Sequence, residues 1–388
     1  MLNNNFHRSI YIHWPFCLSK CPYCDFNSHV SYKTFDIKTW KNAYINEMQK
    51  EFEKLTNKNI KSIFFGGGTP SLMPLKLIDY ILNYIAKKCN ISSNIEISLE
   101  ANPSSSEIKR FNALSKIGIN RLSIGLQSLN DNSLMFLGRN HSALEGIKAI
   151  ENAKLFFKNI SFDLIYGLPK QTEKNWELEL SKAILLSDKH ISAYQLTIEK
   201  GTPFYAKYKN KEIILPSEKT LFNLYKLTDE LLKNKKLKKY EVSNYANKGA
   251  ESIHNTAIWK GHEYSGFGPG AHGRLKINNE WYETKRYPSP YIWLNKCIKN
   301  NETLLINNKI SSKQRAQEIL LTSLRLTKGL NISELNRLCD LNSSDKIINE
   351  KMCNILEKEK FLKIKNNNIS ITNKGFPILN SIINKIIL

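Results

Sequence analysis

The stretch Ile63-Phe-Phe-Gly-Gly-Gly-Thr-Pro70 joins a short apolar run to an abrupt glycine turn. An apolar run of this length, bounded by turn residues, is typical of a strand buried on both faces of a parallel sheet. Five further segments of this kind stand in the first half of the chain: Ile10 to His13, Ile95 to Leu99, Leu122 to Gly125, Ile160 to Ile165 and Ile191 to Leu196. The sequence therefore predicts six buried strands.

Helical patterns separate these strands. Apolar residues at steps of three or four run from Ile37 to Leu55, from Leu75 to Ile85, and from Leu180 to Leu185 after Trp176. Repeated strand–helix units imply a parallel sheet with right-handed crossovers, in either a doubly wound sheet or a barrel. We therefore expect an α/β fold whose functional residues lie at the carboxyl ends of the strands.

The second half of the chain has a different organisation. The segment from Tyr240 to His272 is rich in Gly, aromatic and His residues and has little periodicity, which predicts loops that cover a site. Beyond Ser311, helical patterns precede a short polar hairpin near Asn366 and a last helix. These helical patterns cover residues 314–326, 332–339 and 345–359. We predict three domains: a barrel at 1–240, a barrel-covering extension at 241–310 and a small, mainly helical or winged domain at 311–388.

The composition is that of a large globular protein. Of 388 residues, 41% are hydrophobic and 24% charged, and no apolar run approaches the roughly 20 residues of a membrane span. The polar amino terminus resembles no secretory signal, so we expect a cytoplasmic protein with at most peripheral membrane contact. The net charge of +22 suits anionic ligands. Because lysine is spread along the whole chain and no basic patch is interleaved with aromatic residues, we do not expect nucleic-acid binding.

Three of the seven cysteines stand in one loop, Cys17-Leu-Ser-Lys-Cys21-Pro-Tyr-Cys24, directly after the first predicted strand. In a cytosolic protein this crowding favours metal or redox chemistry over disulfides. Iron–sulfur clusters and tetrahedral zinc usually take four protein ligands, so three thiolates would leave one iron of a cubane open. A zinc site completed by His13 or His29 is the alternative. The remaining cysteines are expected to be small buried hydrophobes: Cys89, Cys297, Cys339 and Cys353.

The spacing Cys-x3-Cys-x2-Cys, with Tyr23 before the last cysteine, resembles the motif of the radical S-adenosylmethionine superfamily. The resemblance implies a partial (β/α)6 TIM-like barrel and a [4Fe-4S] cluster held by Cys17, Cys21 and Cys24. It further implies that the amino and carboxylate groups of S-adenosylmethionine chelate the open iron. One electron from the cluster would then cleave the sulfonium to a deoxyadenosyl radical.

Five longer segments resemble the oxygen-independent coproporphyrinogen dehydrogenase group and its close relative, the HemW-type haem chaperone family. They are Tyr11-Ile-His-Trp-Pro-Phe-Cys17, Gly66-Gly-Gly-Thr-Pro70, Ser98-Leu-Glu-Ala-Asn-Pro103, Arg121-Leu-Ser-Ile-Gly-Leu-Gln-Ser128 and Asp163-Leu-Ile-Tyr-Gly-Leu-Pro-Lys-Gln-Thr172. The matches imply that the S-adenosylmethionine site is lined by Tyr11, Tyr23, Gly67, Gly68, Thr69, Glu100, Gln127, Arg139 and Asp163.

These residue types suit such a ligand. Backbone N–H groups of the glycine loop can approach a carboxylate without side-chain obstruction. Glu100 and Asp163 can accept hydrogen bonds from an ammonium group or from ribose hydroxyls. Arg139 can pair with a carboxylate through two parallel hydrogen bonds.

Two features favour the chaperone family over the dehydrogenase. The dehydrogenase has a further cysteine where this chain has Phe26, and it has a longer segment before Tyr11. In addition, His254-Asn-Thr-Ala-Ile-Trp259 resembles the chaperone's haem-associated His-Asn-x-x-Tyr-Trp motif, with Ile258 in place of tyrosine. His254 is therefore the expected haem ligand, since neutral imidazole binds iron well, and His272 is a second candidate.

The resemblance implies a protein that binds a cluster, S-adenosylmethionine and haem, and that delivers haem to respiratory-chain apoproteins. The alternative is an enzyme that oxidatively decarboxylates two propionates of coproporphyrinogen III. Both substrates are anionic, so the positive charge does not choose between them. Whether the chain performs radical catalysis and whether it forms a homodimer stay open at this point.

Overall fold

The computed structural model describes residues 8–31, 35–300, 302–341 and 346–388. The start of the first predicted domain, at residues 1–7, and Asp345, the predicted beginning of one helix, lie outside the described residues. Of the helices in these ranges, none is both long and apolar enough to cross a membrane.

The strands of the described residues are β1 (Arg8–Trp14), β2 (Phe16–Cys17), β3 (His29–Val30), β4 (Asn59–Gly67), β5 (Asn90–Ala101), β6 (Arg121–Gln127), β7 (Asn159–Tyr166), β8 (His190–Gln195), β9 (Lys238–Lys239), β10 (Asn244–Ala246), β11 (Tyr264–Phe267), β12 (His272–Ile277), β13 (Glu280–Arg286), β14 (Leu304–Ile310), β15 (Leu330–Asn331), β16 (Leu362–Lys365) and β17 (Asn368–Ile371).

The helices are α1 (Ile37–Phe52), α2 (Leu75–Lys88), α3 (Ser105–Ile108), α4 (Phe111–Lys116), α5 (Asp131–Phe136), α6 (Ala143–Phe156), α7 (Glu173–Leu186), α8 (Pro203–Lys209), α9 (Glu218–Asn234), α10 (Ile253–Trp259), α11 (Pro290–Ile298), α12 (Ser312–Ser323), α13 (Ile332–Cys339), α14 (Glu350–Lys358) and α15 (Leu379–Ile386). Single 3-10 turns cover Pro70–Leu72 and Phe376–Ile378.

The six predicted strands form the centre of one sheet. They are β1, β4, β5, β6, β7 and β8, which lie side by side in this order and all pair in parallel. Helices α1, α2, α6 and α7 connect them and bury apolar residues against the sheet. The predicted α/β fold is confirmed, and this array is consistent with a part-barrel.

The sheet has more strands than predicted: twelve within the described residues instead of six. The segment from Tyr240 to His272, predicted as loops, contains β10, α10 and β11. Strand β11 pairs in parallel with β1, and β12 to β14 continue the sheet in antiparallel fashion. The prediction failed because β10 and β11 have only three and four residues, too few to show a period.

A second hydrophobic core lies in the carboxyl-terminal part and is formed by residues of 316–386. Helices α12 to α15 pack there around the small sheet β15-β17-β16, and Asn366 and Asn367, both at positive φ, turn the predicted hairpin. This part rests on α10: the Arg315 guanidinium donates to the carbonyl of Gly261, and Ser323 donates to that of Trp259. The predicted boundaries at 240 and 310 stay predictions.

Candidate functional site

The cysteine loop is tied at its base by two short strands. In the parallel pair β2–β3, Cys17 lies opposite Val30, so the chain between them forms a closed loop. Cys21 and Cys24 are joined by a turn in which the Cys24 N–H donates to the Cys21 carbonyl at 3.1 Å. All three thiols are half-buried, and all three line one cavity of about 400 Å³.

This cavity lies where the parallel strands end. Its lining includes all the residues expected at an S-adenosylmethionine site except Tyr11: Tyr23, Gly67, Gly68, Thr69, Glu100, Gln127, Arg139 and Asp163. Each of these comes from the cysteine loop, from the carboxyl end of a strand or from the segment that follows it. The structure therefore brings residues that are far apart in the sequence to the thiols: Asp163 stands 146 positions after Cys17.

Tyr11 lies beside the cavity rather than in its lining. Its hydroxyl lies 3.0 Å from Nδ1 of His13, and its ring stacks on Phe64. His13 Nε2 lies 2.9 Å from the carbonyl oxygen of Asn27 and therefore donates to it. Both nitrogens of His13 are thus engaged, and burial lowers its pKa to about 4. His13 is a neutral support of the cysteine loop and is not free to complete a zinc site.

The glycine loop contacts the base of the cysteine loop closely. Gly67 has a φ of +114°, and a Cβ there would lie 2.5 Å from the His13 ring. A Cβ at Gly68 would lie 2.8 Å from the backbone of Pro15 and Phe16. The N–H groups of the loop already donate to the protein: Gly67 to Glu100 at 3.2 Å and Gly68 to the Trp14 carbonyl at 2.7 Å. This differs from the expectation that these N–H groups would meet a ligand carboxylate.

Two carboxyl groups, those of Glu100 and Asp163, line the cavity. Burial, together with the nearby charge of Asp163, raises the pKa of Glu100 to about 8. Burial raises the pKa of Asp163 to about 6, against a hydrogen bond from Ser192 and the more distant charge of Arg139, which both lower it. Neither group has a basic partner at ion-pair distance among the described residues. Without a counter-ion these carboxylates are costly to ionise, so a cationic ligand in the cavity would stabilise both.

Arg139 is held against the cysteine loop. One of its terminal nitrogens donates to Cys21 Sγ at 3.4 Å, and the other donates to Asn102 Oδ1 at 2.5 Å and to the Gly125 carbonyl at 2.8 Å. The remaining Nε is buried and has no hydrogen-bond partner within the described residues. Both terminal nitrogens of Arg139 are therefore engaged by the protein, Tyr23 included, and the Nε N–H is what it offers a ligand, rather than the expected parallel pair.

Two further residues shape the site. Asn102 joins Arg139 to the glycine loop, because its amide also donates to Thr69 Oγ1 at 3.1 Å. Gln127 has a φ of +71°, where the pairing of β6 with β7 becomes irregular. A non-glycine residue in this region is strained, and such strain concentrates at functional sites. This strain is a property of the backbone at Gln127 and was not predictable from the residue types.

Tyr194 also lines the cavity, although it was not among the predicted site residues. It lies at the carboxyl end of β8 and is 39% exposed, although its hydroxyl lies deep among Ser192, Asn244 and Asp163. Its exposed surface therefore faces the cavity. An aromatic residue at the carboxyl end of the sixth predicted strand was the available signal. Asn102 likewise stands inside a motif that the sequence analysis quoted for its glutamate.

His254 lies elsewhere, in α10. It is buried, its ring stacks on Phe64 at 4.9 Å, and its Nδ1 lies 3.0 Å from Ser62 Oγ. Burial lowers its pKa to about 3. The Glu96 carboxylate accepts the N–H groups of Ile253 and His254 at the start of the helix. The structure thus places His254 inside the sheet–helix interface and does not bring it to the cysteine cavity.

His272, the second haem candidate, lies in β12 next to the loop of residues 268–271. This loop lies at the carboxyl end of β1, where the Asn27 side chain donates to the Pro269 carbonyl at 3.0 Å. A Cβ at Gly268 would lie 2.4 Å from the His13 carbonyl, so the approach requires glycine. Through these contacts with Asn27 and His13, residues 268–271 support the cysteine loop.

Comparison with known proteins agrees with this geometry. Residues 11–181 match the family model of the radical SAM superfamily. Coproporphyrinogen III oxidase HemN from Escherichia coli has a similar fold, with a TM-score of 0.80 over 97% of this chain and 89% of that chain, at 20% identity. Fold and cysteine site together define a radical SAM protein.

Full-length relatives narrow the class. A Buchnera aphidicola protein named "Heme chaperone HemW" is 37% identical, with 97% of both chains covered. A protein of the same name from Haemophilus influenzae is 35% identical over 87% of each chain. Radical S-adenosyl methionine domain-containing protein 1 of zebrafish mitochondria is 32% identical over 98% of this chain and 87% of its own. The chain belongs to the HemW haem chaperone family.

Proposed function

We propose that this protein binds a [4Fe-4S] cluster, S-adenosylmethionine and haem, and that it delivers haem to respiratory-chain apoproteins. The arrangement of Cys17, Cys21 and Cys24 around one cavity, in a chain with haem-chaperone relatives over nearly its full length, carries the proposal. We further propose a cytoplasmic location. Homodimer formation stays a prediction.

The cysteine loop suits a cluster with one open iron. Its three thiols share one cavity, and no fourth thiol lines it among the described residues. At the position where the dehydrogenase has a further cysteine, this chain has Phe26, which is 58% exposed. Burial raises the pKa of the Cys17 and Cys24 thiols, so binding iron would release protons from them. Arg139 would donate to the Cys21 sulfur, an interaction that tunes the reduction potential of such clusters.

The remaining lining would hold S-adenosylmethionine. A bound cluster would supply the electron that cleaves the sulfonium of S-adenosylmethionine. Glu100 and Asp163 would accept from the ligand's ammonium or hydroxyl groups, and the free Nε of Arg139 would donate to its carboxylate. A ligand cation would also remove the cost of ionising two unpaired carboxyls, so ligand binding would lower their pKa values.

Haem binding through His254 requires a change in the structure. The ring is covered by Phe64 and engaged with Ser62, so iron could reach it only if α10 moved. Trp259, at the end of α10, is half-buried and lies 5.8 Å from the Arg325 guanidinium. His254 as a haem ligand therefore stays a proposal, and one that depends on an opening of this helix.

The test is an anaerobic reconstitution followed by two assays on the same protein. One titrates haem, and the other supplies S-adenosylmethionine, a reductant and coproporphyrinogen III and measures protoporphyrinogen. We expect haem binding without product. Product formation without haem binding would replace the chaperone function with the dehydrogenase function.

A further inference from the structure

A second cavity, of about 290 Å³, opens at the opposite end of the sheet. It is lined by Lys61 near the amino end of β4, by residues of α10 and by Lys328 from the carboxyl-terminal part. Lys61 and Gly67 are six residue steps apart on β4, which corresponds to about 20 Å along the strand. The cavity is therefore separate from the cysteine site, and it lies where three parts of the chain meet, a common position for ligand sites.

Positive charge dominates this cavity. Lys61, Lys260 and Lys328 line it, and none of the three forms an ion pair within the described part of the chain. The lining holds one carboxylate, that of Glu251, which accepts the Gly249 N–H at 2.8 Å. Three ammonium groups around one concavity attract a ligand with more than one negative charge.

The backbone directs Lys61 to this place. Ile60 and Ser62 of β4 pair with residues of both neighbouring strands, β1 and β5. Lys61, between them, pairs with neither strand. Ile60 and Ser62 are buried, whereas Lys61 is exposed. A bulge of this kind redirects a side chain and is common next to functional sites. The lysine at the cavity is therefore a feature of the fold and not only of a lysine-rich composition.

The cavity also contains an unused polar group. Thr256 Oγ1 lines it, is buried and has no hydrogen-bond partner within the described residues. Buried hydroxyls are normally hydrogen-bonded, so this one is available to a polar ligand in the cavity. Thr256 of α10 and Lys260, directly after the helix, line this cavity, while His254 of α10 contacts Phe64 and Ser62.

We infer that this second cavity binds the propionate groups of haem, with Lys61, Lys260 and Lys328 as their partners. The inference rests on the proposed haem function. If S-adenosylmethionine fills the first cavity, haem needs another site. A cavity of 290 Å³ is at the lower limit for whole ligands, so the carboxylate edge enters and the ring stays accessible to the acceptor protein. A ligand that is to be passed on requires this accessibility.

The test compares two triple variants of the reconstituted protein. One carries Lys61→Gln, Lys260→Gln and Lys328→Gln; the control removes the same charge from the outer helices with Lys154→Gln, Lys174→Gln and Lys182→Gln. Haem and its dimethyl ester, which lacks the propionate charges, are titrated by absorbance. Circular dichroism and iron content show that each variant is folded and holds its cluster, and Lys61→Gln alone replaces the cavity triple if that variant does not fold.

We expect the cavity variant to bind haem at least about tenfold more weakly and the control to bind it like the parent, since the cavity variant loses the charge-assisted hydrogen bonds to the propionates. The ester should bind parent and cavity variant alike. Equal weakening in both triples, or no weakening in the cavity variant of a protein that binds haem, overturns the inference and leaves the proposed function intact. A parent protein that does not bind haem overturns both.

Discussion

At the carboxyl ends of β1, β4 and β5, the chain leaves the sheet in loops that surround a cavity with cysteines, glycines and carboxylates. Towards the amino ends of the same strands, α10 packs on the sheet. The buried polar groups of this interface pair with one another. Glu96 lies 3.6 Å from Arg121 and also accepts two N–H groups of α10. Glu100, on the same strand as Glu96, has no such cation at ion-pair distance among the described residues.

The difference separates structural from functional charge within one strand. A buried carboxylate that is paired with a cation and with N–H donors contributes to the fold. One that lines a cavity without a cation at ion-pair distance is suited to bind a cationic ligand. The same distinction holds along α10 and the residue that follows it: His254 is enclosed, but Lys260, directly after the helix, lines an open cavity.

The largest expected effect is on the cluster, at the carboxyl ends of the strands. Replacing Cys17, Cys21 and Cys24 together by Ala should abolish cluster absorbance and iron content, because no other thiol lines the cavity. Haem affinity should change by less than about twofold if haem binds at the amino ends of the strands. The matched control is Cys89→Ala, outside the cavity, which should keep its iron. Loss of haem binding with the cluster would mean that the two ends are not separate.

A pH effect should distinguish Glu100 from ordinary carboxylates. Its pKa of about 8 in the folded apoprotein exceeds the usual 4.5, so the folded state keeps a proton that the unfolded chain has released. Stability is therefore full below pH 4.5 and falls as the pH rises to about 8, by about 2–4 kcal/mol. Glu100→Gln should flatten this dependence in urea unfolding between pH 5 and 8, although Asp163 keeps part of it. An unchanged slope in that variant, equal to that of exposed Glu151→Gln, would contradict the assignment.

Gly67→Ala should destabilise the cysteine loop. The added Cβ would lie 2.5 Å from the His13 ring at a φ of +114°, so strain and a clash combine. We expect a loss of about 2–3 kcal/mol in unfolding free energy. Gly249→Ala, at a φ of +87° but in open space, should lose only about 1 kcal/mol. Similar losses in the two variants would show that the contact with His13 is not close in solution.

The smallest effect concerns His254. His254→Phe would keep the stack on Phe64 but leave Ser62 without the imidazole, at a cost of about 1–2 kcal/mol. The cluster should be retained. If His254 is a haem ligand, this variant should also lose the haem absorption bands of the parent, whereas unaltered bands would assign the histidine a structural role only.

Much of the fold was predictable, because each strand from Ile10 to Leu196 is long enough to show an apolar run. The cysteine site was predictable for a related reason: parallel strands bring their carboxyl ends together, so residues after different strands must meet. The bonds of the Gly67 and Gly68 N–H groups were not predictable, since they depend on how closely two loops approach. The second cavity was not predictable either, because Lys61, Lys260 and Lys328 meet only through the tertiary fold and a bulge in β4.

Electron paramagnetic resonance of the reduced, anaerobically purified protein, with and without S-adenosylmethionine, addresses the cysteine site most directly when combined with metal analysis. We predict about four irons per chain and a cluster spectrum that changes when the nucleotide is added. Zinc in place of iron, or a cluster spectrum that the nucleotide leaves unaltered, would contradict the assignment of an open iron beside Cys17, Cys21 and Cys24.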